Sequence, residues 1–176
     1  MASWGEFAAA APRLAGRARA LLEQYGPGLA YLATIRSDGG PRVHPVAPVI
    51  AGDGLFCFLL RSPKRRDLER DGRYALHSFP PELTDDEAYL AGRASPVRDS
   101  TRAAELARRF SASGQVDWRL FELSVEVAMV GHPSPPTPAG TLPAAGYRPG
   151  PTHQVWRANQ PVRHAPAPRA SPVATG

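Results

Sequence analysis

The chain has 176 residues, 20 prolines, 16 glycines and a formal net charge of +5. That length and that proline and glycine load suit one domain of short strands joined by turns, and exclude a helical bundle. No run of about 18 apolar residues is present, so no membrane-spanning helix is expected. The N-terminus lacks a basic segment ahead of an apolar one, and the single cysteine, Cys57, excludes an internal disulfide. A cytoplasmic location is the expectation. Twenty of the 21 basic residues are arginine, several of them (Arg148, Arg157, Arg163, Arg169) towards the C-terminus. This spread reads as solvated surface charge rather than a nucleic-acid groove.

Residues 3–24 read as helical. Ser3 followed by Glu6 forms a capping box. Leu14, Ala18, Leu21 and Leu22 recur at helical spacing, Pro12 divides the segment, and Gly26-Pro27-Gly28 ends it. Leu29, Tyr31, Ala33 and Ile35 then alternate along one face of a strand, before the Ser37-Asp38-Gly39-Gly40 turn. Val43 to Ile50 reads as a second strand. Gly52-Asp53-Gly54 turns into a third, Leu55–Leu60, so consecutive hairpins predict an antiparallel meander.

Ser62-Pro63 opens a short helix that Gly72 closes. Arg73–Phe79 is a fourth strand, Pro80–Asp86 an acidic loop, and Glu87–Val97 a fifth strand. Asp99 or Ser100 caps an amphipathic helix to about Ala112, with Ala103, Leu106, Ala107 and Phe110 on one face. In Leu120–Val130, Phe121, Leu123, Val125, Val127 and Met129 are expected to face one way, and Glu122, Ser124 and Glu126 the other. Residues 131–152 predict a long loop, of a length that marks it as functional or mobile. His153–Ala158 reads as a short closing strand, and 159–176 as a disordered proline-rich tail. Mostly antiparallel strands in this number, with three helices, fit a small closed or split barrel.

The clearest chemical signal is Ser62-Pro63-Lys64-Arg65-Arg66-Asp67. Ser62 suits an N-cap and Pro63 the first helical position. Three cations follow, the wrong sign for a helix N-terminus whose backbone dipole is already positive. An anion seated there removes the conflict: free N–H groups, a hydroxyl and two or three cations make a phosphate cradle. A surface helix with unoptimised charges accounts for the same residues. Lys64, the only lysine, falls in this segment.

Pro41-Arg42-Val43-His44-Pro45-Val46-Ala47-Pro48-Val49 carries three prolines, each removing a ladder donor, and so reads as an edge or bulged strand. Arg42 and His44 share one face if the strand is regular. They offer an anion contact and a polar hydrogen-bonding group against which a flat ring can lie; an irregular edge strand with a partly exposed His is the plainer reading. His77 reads as a hydrogen-bonded, partly buried histidine and Cys57 as core. The five histidines show no metal-ligand spacing, so no metal site is expected.

Taken in order, Leu29–Arg36 with the Asp38-Gly39-Gly40 turn, Pro41–Val46, Ser62–Leu68 and Glu87-Ala88-Tyr89-Leu90-Ala91-Gly92-Arg93-Ala94 resemble the pyridoxamine 5'-phosphate oxidase-like split-barrel family of flavin-binding proteins. Val155-Trp156-Arg157-Ala158 resembles the family's last strand. The resemblance implies a six-stranded antiparallel split β-barrel with flanking helices over residues 1–158. It also implies a homodimer with FMN in a groove at the dimer interface. It assigns the flavin phosphate to Ser62, Lys64 and Arg65, with Arg42 reaching it from the second strand. Val43, His44 and Pro45 would line the ring and Trp156 would close the pocket. The vitamin-binding C-terminal segment of the true oxidase is not matched, so oxidation of vitamin B6 is not implied. The expected function is an FMN-dependent oxidoreductase acting on a small organic substrate. A deazaflavin-dependent reductase and a non-catalytic flavin- or haem-binding protein are the alternatives on the same fold.

Overall fold

In the computed structural model, which describes residues 1–26, 28–82, 85–110, 117–132 and 152–158, Ser3 forms the capping box its spacing predicts. Its hydroxyl accepts from the Glu6 N–H at 3.1 Å, and its own N–H donates to the Glu6 carboxylate at 2.7 Å. Helix α1 (Trp4–Ala10) carries Trp4 and Phe7 into the core. Pro12 starts α2 (Pro12–Glu23), which buries Leu14, Ala18 and Leu22.

Eight strands follow, with two further helices between them: β1 (Ala30–Ile35), β2 (Pro41–Val46), β3 (Pro48–Ala51), β4 (Gly54–Leu60), α3 (Pro63–Arg70), β5 (Arg73–Ser78), β6 (Glu87–Pro96), α4 (Ser100–Arg109), β7 (Trp118–His132) and β8 (Thr152–Arg157). All pairings are antiparallel, in the order β2-β1-β5-β6-β7-β4-β3, with β8 added on β7. The first and last strands of that order, β2 and β3, are separated in the chain by Ala47 alone. A flat sheet cannot have its two edges one residue apart, so the sheet curls into a split barrel whose seam is crossed at Ala47.

The resemblance implies six strands and the chain-order reading six or seven; among the described residues eight are formed. The segment 43–50 is not one strand: it breaks at Ala47, between β2 and β3, and its halves pair with different neighbours, β1 and β4. The predicted meander therefore gives way to two separate hairpins. Gly28 makes the seam possible. It sits at φ +95°, and a Cβ there would lie 2.1 Å from the Pro48 carbonyl oxygen.

Two facings differ from the sequence expectation. On β1 the buried residues are Ala30, Leu32 and Thr34, whereas Tyr31 is 38% exposed. Both alternating sets are nearly equally apolar, and Thr34 is admitted inside because its hydroxyl finds a buried carboxylate. On β7, Phe121, Leu123 and Val125 point inward, but Ala128 and Val130, not Val127 and Met129, continue the inner face. The β6–β7 register shifts between Ala91 and Gly92, so Glu126 is an extra residue and everything beyond it is inverted.

Asp99 is the cap of α4, accepting from the N–H groups of Thr101 and Arg102. Most of the core forms one cluster under α1 and α2. A smaller cluster, Val49, Ala51, Phe56, Leu106 and Leu120, lies under α4. Cys57 is fully buried, and burial pushes its thiol up to about 12. The central part of the expected loop 131–152, residues 133–151, and the expected tail 159–176 lie outside the described residues. Among the described residues no helix is long and apolar enough to cross a membrane.

Candidate functional site

Helix α3 begins as the sequence predicts. Ser62 is extended at φ −160° and ψ 164°, Pro63 takes the first turn, and no acid lies in that turn. The Ser62 hydroxyl does not cap the helix; it donates to the Leu60 carbonyl at 2.9 Å. The first free N–H groups of α3 thus keep no side-chain cap.

The cations behind Ser62 take different partners. Lys64 Nζ donates to the Pro45 carbonyl at 3.0 Å, joining α3 to β2 and leaving two of its three donors. Arg65 is engaged by acids, with Asp117 at 2.9 Å and Glu69 at 3.2 Å, and its side chain is only 12% exposed. The Asp117 carboxyl is held below its usual range by its hydrogen bond from Arg65. Arg66 is exposed.

From β2, Arg42 reaches the same helix. Its Nε donates to Asp67 Oδ2 at 2.7 Å. Asp67 also accepts from the Thr34 hydroxyl at 3.1 Å and from Arg70 at 3.4 Å, and Arg70 in turn donates to the Ile35 carbonyl. Asp67 is 3% exposed. Burial works against its charge, but the bonds from Arg42 and Thr34 outweigh it and hold the carboxyl below the usual aspartate range. The sequence reading missed both Asp67 and Thr34. The available signal was an acid embedded in Lys64-Arg65-Arg66-Asp67, since a buried carboxylate needs cations around it.

The structure sets Lys64 and Arg42 between α3 and β2, Lys64 at the Pro45 carbonyl and Arg42 at Asp67, while Arg65 turns to Asp117 ahead of β7. His44 lies two residues from Arg42 on the same face of β2, and its Nε2 is buried without a hydrogen-bond partner among the described residues. Val43 and Pro45 occupy the opposite, exposed face of β2, so the three residues expected to line one ring are divided between two faces. Trp156 lies elsewhere. It is buried at the far half of β7, opposite Ala128, with its ring 4.8 Å from Phe7.

A second polar group lies where β5, β6, β7 and β8 adjoin. His77 Nε2 is 3.1 Å and His153 Nε2 3.6 Å from the two oxygens of Glu87, and His132 pairs with Asp86. The expected hydrogen-bonded state of His77 is formed, its Nδ1 meeting the Ser78 carbonyl oxygen. Among the described residues no three His, Cys, Asp or Glu side chains are placed to hold a metal ion.

No protein-family model and no curated protein matches the chain. Solved structures do. A putative pyridoxamine 5'-phosphate oxidase from Listeria innocua superposes with a TM-score of 0.53 at 16% identity, over 65% of this chain and 95% of that one. General Stress Protein 26 from Bacillus anthracis gives 0.51 at 19%, over 65% and 91%. HutZ, the heme storage protein from Vibrio cholerae, gives 0.50 at 22%, over 65% and 91%. The chain therefore has the split-barrel fold of pyridoxamine 5'-phosphate oxidase-like proteins.

Proposed function

We propose that this chain binds FMN as a homodimer and serves as an oxidoreductase for a small organic substrate. The observation that carries the reading is the corner between β2 and α3. A helix N-terminus without a capping side chain or an acid meets Lys64, which has donors to spare, and Arg42, whose terminal nitrogens have no hydrogen-bond partner among the described residues. These groups suit a phosphate monoester. His44, with its unpaired buried nitrogen, suits a polar edge of a ring placed beside them. Arg65 serves the site chiefly by fixing the helix start to Asp117. FMN, when bound, supplies the acceptance and return of a hydride or electrons; the chain's residues supply binding and orientation.

The outward face of the sheet supports the homodimer. The ladder registers align Pro45, Tyr31, His77, Tyr89, Met129 and Val155 in one row across β2, β1, β5, β6, β7 and β8. Five of these six are uncharged and apolar or aromatic, Val43 and Val155 on the same face are 59% and 52% exposed, and a continuous patch of this kind is unusual on a monomer. A second copy covers it and brings a further surface to the edge strand β2.

HutZ, named for heme storage, makes haem the competing occupant of the fold. Here His77, His132 and His153 are each engaged by a carboxylate, whereas His44 carries a buried Nε2 without a hydrogen-bond partner among the described residues. Titration of the purified protein with FMN, riboflavin and haemin, followed by visible absorption and flavin fluorescence, tests the reading. FMN binding at least tenfold tighter than riboflavin supports it; tight haemin binding with no flavin preference overturns it.

A further inference from the structure

We infer that Asp67 is the positioning residue that aims Arg42 at the flavin phosphate. This rests on the FMN reading above and adds how selectivity for the phosphorylated flavin is built.

Asp67 engages Arg42 through Nε alone. Among the described residues neither terminal nitrogen of Arg42 has a hydrogen-bond partner. A guanidinium held at Nε keeps its planar fork fixed in direction, with its end free to take two phosphate oxygens. The carboxylate is itself held from two further sides. Thr34 stands directly across the β1–β2 ladder from Arg42 and donates to the same oxygen, Oδ2, that receives Arg42. Arg70 binds the other oxygen, Oδ1, and is tied to β1 at the Ile35 carbonyl. Asp67 lies one turn along α3 from Lys64, whose ammonium is tied to β2 at Pro45. The helix that offers its N-terminus therefore also carries the acid that orients the strand arginine, so both halves of the cradle move as one body.

An ion pair with a merely structural role would be indifferent to which nitrogen it used and to which flavin was bound. The test is a binding cycle with FMN and riboflavin as probes, read by flavin fluorescence, on wild type, Asp67→Asn, Arg42→Ala, Arg42→Lys and the Arg42→Ala/Asp67→Asn double variant. Circular dichroism and melting check each fold. The inference expects Asp67→Asn to weaken FMN about tenfold while riboflavin is unchanged, and the double variant to be no worse than Arg42→Ala. Arg42→Lys keeps the charge but lacks the fork, and is expected to lose the FMN preference as fully as Arg42→Ala. That arm decides the matter should Asp67→Asn fail to fold. Equal weakening of both flavins in Asp67→Asn, additive losses in the double variant, or an intact preference in Arg42→Lys overturns the inference. Wild type without any preference for FMN overturns the functional reading instead, independently of Asp67.

Discussion

Lys64 Nζ lies 3.0 Å from the Pro45 carbonyl oxygen, so the only lysine of the chain joins a helix start to a strand that cannot use a backbone donor at that residue. The ammonium has both a structural partner and spare donors. Lys64→Ala should weaken FMN binding by about 1.5–3 kcal/mol, the usual worth of a charge-assisted contact, equivalent to at least tenfold. Riboflavin binding should hardly change. Isothermal titration with the two flavins measures this, and an equal loss for both would show that the Pro45 tie, not the phosphate, is what Lys64 supplies.

Trp156 separates two roles cleanly. Its ring packs on Phe7 and is buried among core residues. Trp156→Ala should cost about 3–5 kcal/mol of stability through the cavity it leaves. In urea denaturation the midpoint should fall markedly. A variant that keeps wild-type stability but loses FMN would return Trp156 to the cofactor.

Two glycines predict opposite outcomes. A Cβ on Gly92 would stand 1.9 Å from the Ser124 carbonyl oxygen, inside the β6–β7 bulge, whereas one on Gly16 meets nothing within 4 Å. Gly92→Ala should therefore destabilise, by roughly 1–3 kcal/mol. Gly16→Ala, on the exposed face of α2, should stabilise by about 0.5–1 kcal/mol. Thermal melts of the pair provide the check, and the same sign for both substitutions would contradict the bulge geometry.

The outward sheet face predicts a dimer that one charge can break. Met129→Lys places an ammonium in the row between Tyr89 and Val155. Light scattering should give twice the chain mass for wild type and the single mass for the variant, with far-UV spectra alike. A monomeric wild type would remove the homodimer.

Acid stability follows from the paired aspartates. Asp71 is drawn by Arg73 from the ordinary 3.8 to about 2, and Asp67 and Asp117 are lowered as well. Groups lowered in the folded state add stability above their unfolded value and lose it as pH falls through the folded one. The urea midpoint should hold from neutral pH to about 5 and decline between about 4 and 2. Salt should shrink the share of exposed Asp117 more than that of buried Asp67. A midpoint flat across that acid window would contradict these pairings.

Local signals were legible wherever one residue decides the outcome. Ser3 with Glu6, Pro12, Asp99 and the Ser62-Pro63 helix start act through their nearest neighbours, and each element begins where the sequence places it. What was hidden depends on distant partners. The alternation in Phe121–Met129 could not reveal the bulge, because the extra residue Glu126 is defined only against β6. The facing of β1 turned on Asp67, 33 residues beyond Thr34. The phosphate segment was visible as a charge pattern, but that Ser62 turns its hydroxyl to Leu60, or that Arg65 meets Asp117, is a matter of tertiary geometry.

The one-residue crossing at Ala47 also sets a timetable for biosynthesis. When the ribosome has released β1 through β4, the β1–β2 and β3–β4 hairpins can form, but β4 has no second neighbour until Trp118–Glu122 is made. At about 5–20 residues per second that wait lasts several seconds. During it, the β4 edge, with Phe56 and Phe58, is open to stray pairing in the nascent chain. The chain ends the exposure with a single element, since β7 pairs with β4 along its first part and with β6 along most of its length. Emergence of that one strand is thus the moment at which the barrel can close.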